Sequence, residues 1–542
     1  MLSSPALLSL AFLAVALCFR SVDGQVLGPV DEMTISNMDA SPDGRLRPVI
    51  AVNRQYPAPL IRARKGDNFR INVVNNLTDP TMLRQTSVHW HGIFQRQTAW
   101  ADGPEGVTQC PVAQFGQSFQ YAFSAGEEAG TYWYHSHFGT QYCDGLRGPI
   151  VIYDDNDPHQ NLYQVDDENT VITLADWYHV QAPTLGTGPA QSNATLINGK
   201  GRRPGGPPTE IAVVNVEQTK TYRMRLISMS CDPDYTFSID NHNLTIIEAD
   251  GQSTEPYTVQ QLRIFAGQRY SFVLNANQPN GSYWIRARPN LGFNMLNQFD
   301  SGGINSAILR YVDPSTPETD PTTSPHVNPV VFKEENLHAL LSPAAPGGPN
   351  PAPEDIEKVD IDFGFGRVTP ARWDINGSVW AAPDSPVMVQ ILNHVPPSEV
   401  VPKESIRILP RNKVVEVTIH GVGIAGPHPF HMHGHAFSVV KSANSSILNY
   451  DNPVRRDVVE TGLNGNTTII RFTTDNPGPW FFHCHIEFHL VGGLGMVFVE
   501  RPDEIETNSP PPPSWSQLCE TYDNLPAEAT SVQIVPPIVT TL

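Results

Sequence analysis

One segment pattern recurs three times along the chain, and it constrains the fold more than any other feature. "GTYWYHSHFGTQYCDGLRGPIVIY" (130–153) matches "NPGPWFFHCHIEFHLVGGLGMVFV" (476–499) without a gap, so that His135 falls on His483, His137 on His485, and Gly145-Leu146 on Gly493-Leu494. A third copy, "GSYWIRAR" (281–288), keeps the Gly-x-aromatic-Trp opening but carries Arg286 and Arg288 where the others have histidines. Upstream, "SVHWHGIF" (87–94) echoes "PFHMHGHAF" (429–437). Such self-similarity predicts three related units, the outer two equipped for metal and the middle one not.

Each unit reads as β. "GPIVIY", "RYSFVL" and "GMVFVE" are β-branched or aromatic runs bounded by glycine and proline. The 50 prolines and 40 glycines among 542 residues suit many short strands joined by turns better than long helices. A chain of this length exceeds one ordinary core, and three β-sandwich or barrel domains are expected. Boundaries are expected near 155, after "IVIYDDNDP", and near 320, in "VDPSTPETDPTTSPH", giving units over 25–155, 156–320 and 321–542. The Pro/Gly-rich "SPAAPGGPNPAPEDIE" (342–357) is expected to be a surface loop of the third unit.

A formal net charge of −20 argues against nucleic acid or an anionic membrane as partner, because both repel an acidic surface. Residues 1–24, "MLSSPALLSLAFLAVALCFRSVDG", have an apolar run too short to span a bilayer and read as a secretory signal peptide cleaved near Gly24. No later run is long and apolar enough to cross. Sequons at Asn76, Asn193, Asn243, Asn280, Asn376, Asn444 and Asn466 fit a secreted glycoprotein. With Cys18 removed, Cys110, Cys143, Cys231, Cys484 and Cys519 remain. An odd count in a secreted chain implies two disulfides and one thiol with another task. Cys484, flanked on both sides by histidine, is the odd one, and the other four allow three pairings.

The histidines supply that task. With 18 in 542 residues, chance gives about 0.6 His-x-His pairs, yet five occur: 89/91, 135/137, 431/433, 433/435 and 483/485. On a strand, residues i and i+2 share a face roughly 6.5–7 Å apart, so such imidazoles can serve two adjacent ions. Four segments from two facing units then suit a compact multi-metal cluster, and imidazole favours Cu, Zn, Fe or Ni over Mg or Ca. The Cys484 side chain points to the opposite face from His483 and His485, where His428 and His489 are natural co-ligands. One Cys with two His is the trigonal set of blue-copper electron-transfer sites. The crowding around Cys484 would wire that copper to the cluster through the backbone. A structural zinc site uses about four closed ligands, usually several of them cysteines, and does not account for this set. His435 is expected in the core or behind the ligands.

In this order, "HWHG", "HSH", "HPFHMHGH" and "HCHIEFHL" resemble the four copper signatures of multicopper oxidases. "WADGP", "QYCDGLRGP", "TLINGKGR", "SCDPDYTFSID", "GGINSAILRY" and "PVRRDVV" are similar to stretches of secreted basidiomycete laccases, across nearly the whole mature chain. The resemblance implies an all-β fold of three consecutive cupredoxin-like Greek-key domains and four copper ions. It also implies one-electron oxidation of phenols or aromatic amines coupled to reduction of O2 to water, by a secreted, extracellular monomer. Ferroxidase or ascorbate oxidase activity, or a copper-binding protein without turnover, are the alternatives.

Carried over by motif, the type 1 copper takes His428, Cys484 and His489, and the type 2 copper takes His89 and His431. The type 3 pair takes His91, His135 and His485 on one ion and His137, His433 and His483 on the other. The resemblance also implies disulfides Cys143–Cys231 and Cys110–Cys519. Asp232 matches a carboxylate facing the donor beside His489, where a base favours oxidation of a phenol; a turn before Pro233 is the other role open to it. Asp102 resembles an acid that delivers protons near the cluster, with turn geometry as its alternative. Leu494 stands where ascorbate oxidases carry an axial Met, so the type 1 site is expected to be three-coordinate with a raised potential. Met496 is assigned to the core. Glu487 replaces the Asp common in these laccases, and residues 180–192 hold no aromatic, which would open the donor pocket.

Overall fold

The computed structural model describes residues 25–186, 191–290, 301–313 and 318–534. The expected leader at 1–24, part of the 180–192 loop and the end of the C-terminal tail lie outside the described residues.

Six sheets form the framework, two from each third of the chain. The first pair covers residues 26–153 and has five and four strands; the second covers 171–311 with six and five; the third covers 356–500 with six and five. None of the sheets closes on itself, so the units are sandwiches rather than barrels. Their inner faces come from period-2 alternation, as in Asn68–Asn76, where Phe69, Ile71 and Val73 are buried between exposed or half-buried neighbours.

The sequence repeat is also a topological repeat. In each five-stranded sheet the repeat strand lies between the strand that follows it and an earlier strand of the same unit. Gly130–Ser136 sits between Arg147–Tyr153 and Val88–His91, and Ser282–Pro289 between Ser306–Tyr311 and Tyr235–Ile239. Gly478–Cys484 sits between Gly495–Glu500 and Pro429–Met432. All seven residues of Gly130–Ser136 and of Gly478–Cys484 are buried, because units pack on both faces of these strands. Of the expected 342–357 loop, residues 342–352 form a largely exposed loop, while Pro353–Asp355 make a 3-10 turn and Ile356 begins the strand Ile356–Phe365.

Charged keystones join the units. Arg269, fully buried in the middle unit, donates to the Thr131 carbonyl of the first unit at 3.1 Å and to both Asp457 oxygens of the third at 2.6 and 2.7 Å. Arg456 of the third unit pairs with Asp250 of the middle one at 2.9 Å. Buried ions are tolerated only when fully partnered, and these are. Two disulfides add covalent ties: Cys110–Cys519 anchors the C-terminal helix Pro513–Asp523 to the first unit, and Cys143–Cys231 joins the first unit to the middle one. Cys484 is the free, buried cysteine among the described residues.

Candidate metal centre

The repeat strands bring the histidines face to face. His89 pairs in register with His135, and His431 with His483, each across an antiparallel ladder. The i+2 partners His91, His137, His433 and His485 extend the same faces, and the two outer units meet along them. All eight side chains are buried.

One ring nitrogen of each of several imidazoles is held from outside. His89 Nδ1 donates to the Asp102 carbonyl at 2.8 Å, His135 Nδ1 to the Ser136 carbonyl at 2.8 Å, and His483 Nδ1 to the Cys484 carbonyl at 2.9 Å. His431 Nδ1 donates to the Asp457 carbonyl at 2.9 Å, while His433 Nδ1 meets the Asp102 carboxylate at 2.8 Å. The remaining nitrogens converge inward. His89 and His431 face each other through Nε2 at 3.5 Å, and His433 and His483 do so at 3.2 Å. Nε2 of His135, His137 and His485, and Nδ1 of His91, are buried without a hydrogen-bond partner. His137, His433 and His483 bring ligand atoms within 4.8 Å of one another. His91, His135 and His485 face each other with ring centroids 5.0–5.8 Å apart.

Burial, reinforced by neighbouring imidazoles, holds His91, His135, His137, His431, His433 and His485 well below the ordinary histidine range. Burial also takes His483 down to about 3. Burial therefore favours the neutral form of these seven rings, and their inner nitrogens converge on a common space. Buried acceptors so arranged are costly unless a cation joins them, and an all-imidazole set suits copper.

On the far side of Gly478–Cys484 the second constellation forms. Cys484 Sγ lies 3.5 Å from His428 Nδ1 and 3.8 Å from His489 Nδ1, with the two nitrogens 3.2 Å apart. Burial lowers His428 to about 4 and pushes the Cys484 thiol up, so a thiolate here needs a bound cation. His489 is set by the short helix Glu487–Val491, whose first N–H donates to the Cys231 carbonyl at 2.8 Å. Trp373 covers both histidines, with its ring 4.9 Å from His428 and 4.4 Å from His489. Leu494 is fully buried beside the site; its N–H donates to the His489 carbonyl at 3.0 Å, and its carbonyl accepts from Cys484 N–H at 3.1 Å. Its side chain has no donor atom to offer a metal. Met496 is buried in the core, opposite Phe482.

Asp102 is fully buried behind His89 and His433. Asp232 is half-buried on the loop after Cys231, and its N–H donates to Asp176 at 3.2 Å. His435 lies behind the cluster, its Nε2 3.0 Å from Glu500; burial works against its charge, but the Glu500 carboxylate raises its pKa above the ordinary value. Six sequon asparagines are exposed and Asn466 is half-buried. In the middle unit Arg286 forms a two-pronged pair with Asp240 at 2.8 Å on each side.

Sequence reasoning missed Asp457. Its Oδ1 accepts from His91 Nε2 at 3.2 Å and its carbonyl fixes His431, so it steadies two arms of the cluster. It lies in "PVRRDVV", quoted above only for its resemblance, and nothing in its local spacing marks it. A further cavity of about 270 Å³ beside His137 is lined by Glu105, Arg372, Trp380, Phe481 and Glu487. Burial raises Glu105 to about 7 and Glu487 to about 8.

Comparison with known proteins agrees with this geometry. Three family models, each described as multicopper oxidase, match residues 34–157, 168–314 and 380–504. The chain is 51% identical to Laccase-4 of Trametes villosa over 519 residues, which is 95% of this chain and 98% of that protein. It is 51% identical to Laccase-1 of Pleurotus ostreatus over 528 residues, 95% of this chain and 97% of that one. Among solved structures, the laccase from Botrytis aclada superposes with a TM-score of 0.77 at 30% identity, covering 94% of this chain and 95% of its own. Fet3p, a multicopper oxidase described as functioning in iron import, superposes with a TM-score of 0.77 at 25% identity over 93% of this chain and 98% of its own. With three sandwiches, a free cysteine between two histidines and this likeness along nearly its whole length, the chain belongs to the multicopper oxidase family and is a copper-dependent oxidase.

Proposed function

We propose that this chain is a laccase: it removes single electrons from phenols and aromatic amines and reduces O2 to water with four of them. The observation that carries the reading is the back-to-back arrangement at His483-Cys484-His485, which joins a Cys–His–His site to an eight-histidine cluster. Identity of 51% to laccases supports the choice of donor.

Four copper ions are assigned to these residues. The type 1 ion takes His428, Cys484 and His489; the type 2 ion takes His89 and His431. The type 3 pair takes His91, His135 and His485, and His137, His433 and His483. Copper held there supplies one-electron exchange at the thiolate site and multi-electron reduction of dioxygen at the cluster.

The chain's own residues do the rest. As an electron leaves a phenol its hydroxyl becomes strongly acidic, and the Asp232 carboxylate takes the proton. The electron received at Cys484 Sγ has a covalent path through one peptide bond to His483 or His485. Trp373 and Leu494 keep water and further ligands from the thiolate. Asp102, held against His89 and His433, is placed to pass protons toward the cluster.

Residues 1–24 are removed on secretion, the sequon asparagines carry glycans, and the mature chain works outside the cell as a monomer. Domain boundaries fall near 155 and 320, in keeping with the gaps between sheet pairs. The described residues contain no helix long and apolar enough to cross a membrane.

The test is oxygen uptake by the copper-loaded protein with a methoxyphenol, ascorbate or ferrous iron at matched concentrations. Preferential uptake with the phenol is expected. Uptake with iron or ascorbate alone would place the chain on another oxidase branch, and no uptake despite full copper would leave a copper-binding protein.

A further inference from the structure

Asp176 has no exposure to solvent and belongs to neither metal site, yet its carboxylate is among the most heavily bonded groups in the protein. Oδ1 accepts from the Cys231 N–H at 3.0 Å and from Arg147 Nη1 at 3.1 Å. Oδ2 accepts from the Asp232 N–H at 3.2 Å and from the Tyr178 hydroxyl at 2.7 Å. Arg147, from the first unit, also donates through Nη2 to the Asp176 carbonyl at 2.7 Å and through Nη1 to the Met229 carbonyl at 2.5 Å. Two successive backbone N–H groups aimed at one carboxylate, closed by a guanidinium, form a rigid anion cradle.

The dipeptide held this way, Cys231-Asp232, is the junction of all three units. Cys231 is bonded to Cys143 of the first unit, and its carbonyl accepts the N–H of Glu487 at the start of the helix bearing His489. Burying a carboxylate is costly and is tolerated only with charged partners and full hydrogen bonding. A neutral group could satisfy one N–H, but only a doubly accepting carboxylate takes both successive N–H groups and the Tyr178 hydroxyl together. An amide of the same shape would turn its NH2 against donors.

We propose that Asp176 is a positioning residue for donor oxidation: it fixes the 231–232 backbone so that the Asp232 carboxylate stays where it takes the proton of a phenol oxidised at the His489 edge. The proposal rests on the laccase reading and on Asp232 as its base. No covalent step is added; the electron goes to the thiolate site and the proton to Asp232.

The experiment compares D176N, Y178F, D232N and the D176N/D232N double variant in the copper-loaded protein. Two donors are used, a methoxyphenol and a metal-complex donor that releases no proton, together with visible absorption and electron paramagnetic resonance of the type 1 site. D176N should keep the blue absorption and the proton-free oxidation within about twofold. It should lower phenol kcat/KM roughly 10–100-fold, as expected for a displaced reacting group, and change the phenol pH profile. The double variant should be no slower on phenol than D232N alone. Equal losses on both donors, or additive losses in the double variant, would overturn the proposal. If D176N does not accumulate, Y178F decides: it removes one bond to Oδ2 and should give a smaller loss confined to phenols, whereas an unchanged phenol profile overturns the assignment. A D232N variant that oxidises phenols normally would instead sink the base role itself, and this proposal with it.

Discussion

At the scale of single residues, Cys484 does what no other described cysteine can, because it alone is unpaired and sits between two cluster arms. Replacing it with serine should abolish the intense blue thiolate absorption while leaving the fold intact; a surviving band would refute its place at the type 1 copper. Leu494 is buried and close in volume to methionine, so Leu494→Met should cost less than about 1.5 kcal/mol of stability. It should lower the type 1 potential in a redox titration, and an unchanged potential would show that the side chain is not axial. Asp457→Ala should reduce copper affinity or activity about 10–100-fold, as loss of an orienting partner does. Copper content after mild chelation is the readout, and wild-type retention would count against its role. The histidine cluster was legible in the sequence because side chains at i and i+2 of a strand share one face. Asp457 was not, since it reaches His91 from another unit and is fixed by Arg269 from a third. Asp176 escaped for the same reason: its partners lie in distant segments brought together only by packing.

At the scale of elements, the threefold strand repeat was readable because each copy occupies the same place in its sheet. The middle copy holds arginine at the ligand positions, which marked that unit as metal-free, yet one of its turns closes over the cluster. Gly267, at φ +83°, sits where an added Cβ would lie 2.9 Å from His485 Cδ2 and 3.1 Å from His91 Cε1. Only glycine adopts that backbone without strain and leaves the two imidazoles their space. Gly267→Ala should therefore disturb the type 3 pair, with loss of cluster copper and oxygen uptake, while the blue type 1 band persists. Full copper occupancy and normal turnover would show that the turn does not confine the cluster. Nothing in "FAGQR" announces this contact, because a glycine in a turn signals only a turn until its neighbours are known.

At the scale of the whole molecule, buried ion pairs and disulfides tie the units together on top of a hydrophobic core that runs through all three. A cavity of about 900 Å³ lies where the three units meet, lined in part by Glu128, Tyr132, Arg96, Arg225 and Arg455. Burial pushes Glu128 up to about 8 and Glu460 to about 7, above the carboxyl range of an unfolded chain. At these two carboxyls the folded protein holds protons that the unfolded chain has released, so their own contribution to stability is lost as pH rises from about 4.5 to 8. Glu128→Gln should flatten that part of a thermal-denaturation profile, and an unchanged slope would mean that Glu128 does not titrate there. Composition, turns and the repeat were enough to anticipate three β units, sandwich or barrel; that the sheets stay open, and how the units are joined, were not, because these depend on packing and on charges from different units. If the two metal sites act as one machine, electrons taken singly from the donor leave together on O2. The direct measurement is the number of phenol molecules oxidised per O2 consumed by the copper-loaded protein, with a peroxide assay alongside. Four phenols per O2 with no peroxide is the predicted result; two per O2 with peroxide released, or phenol oxidation without oxygen uptake, would contradict it.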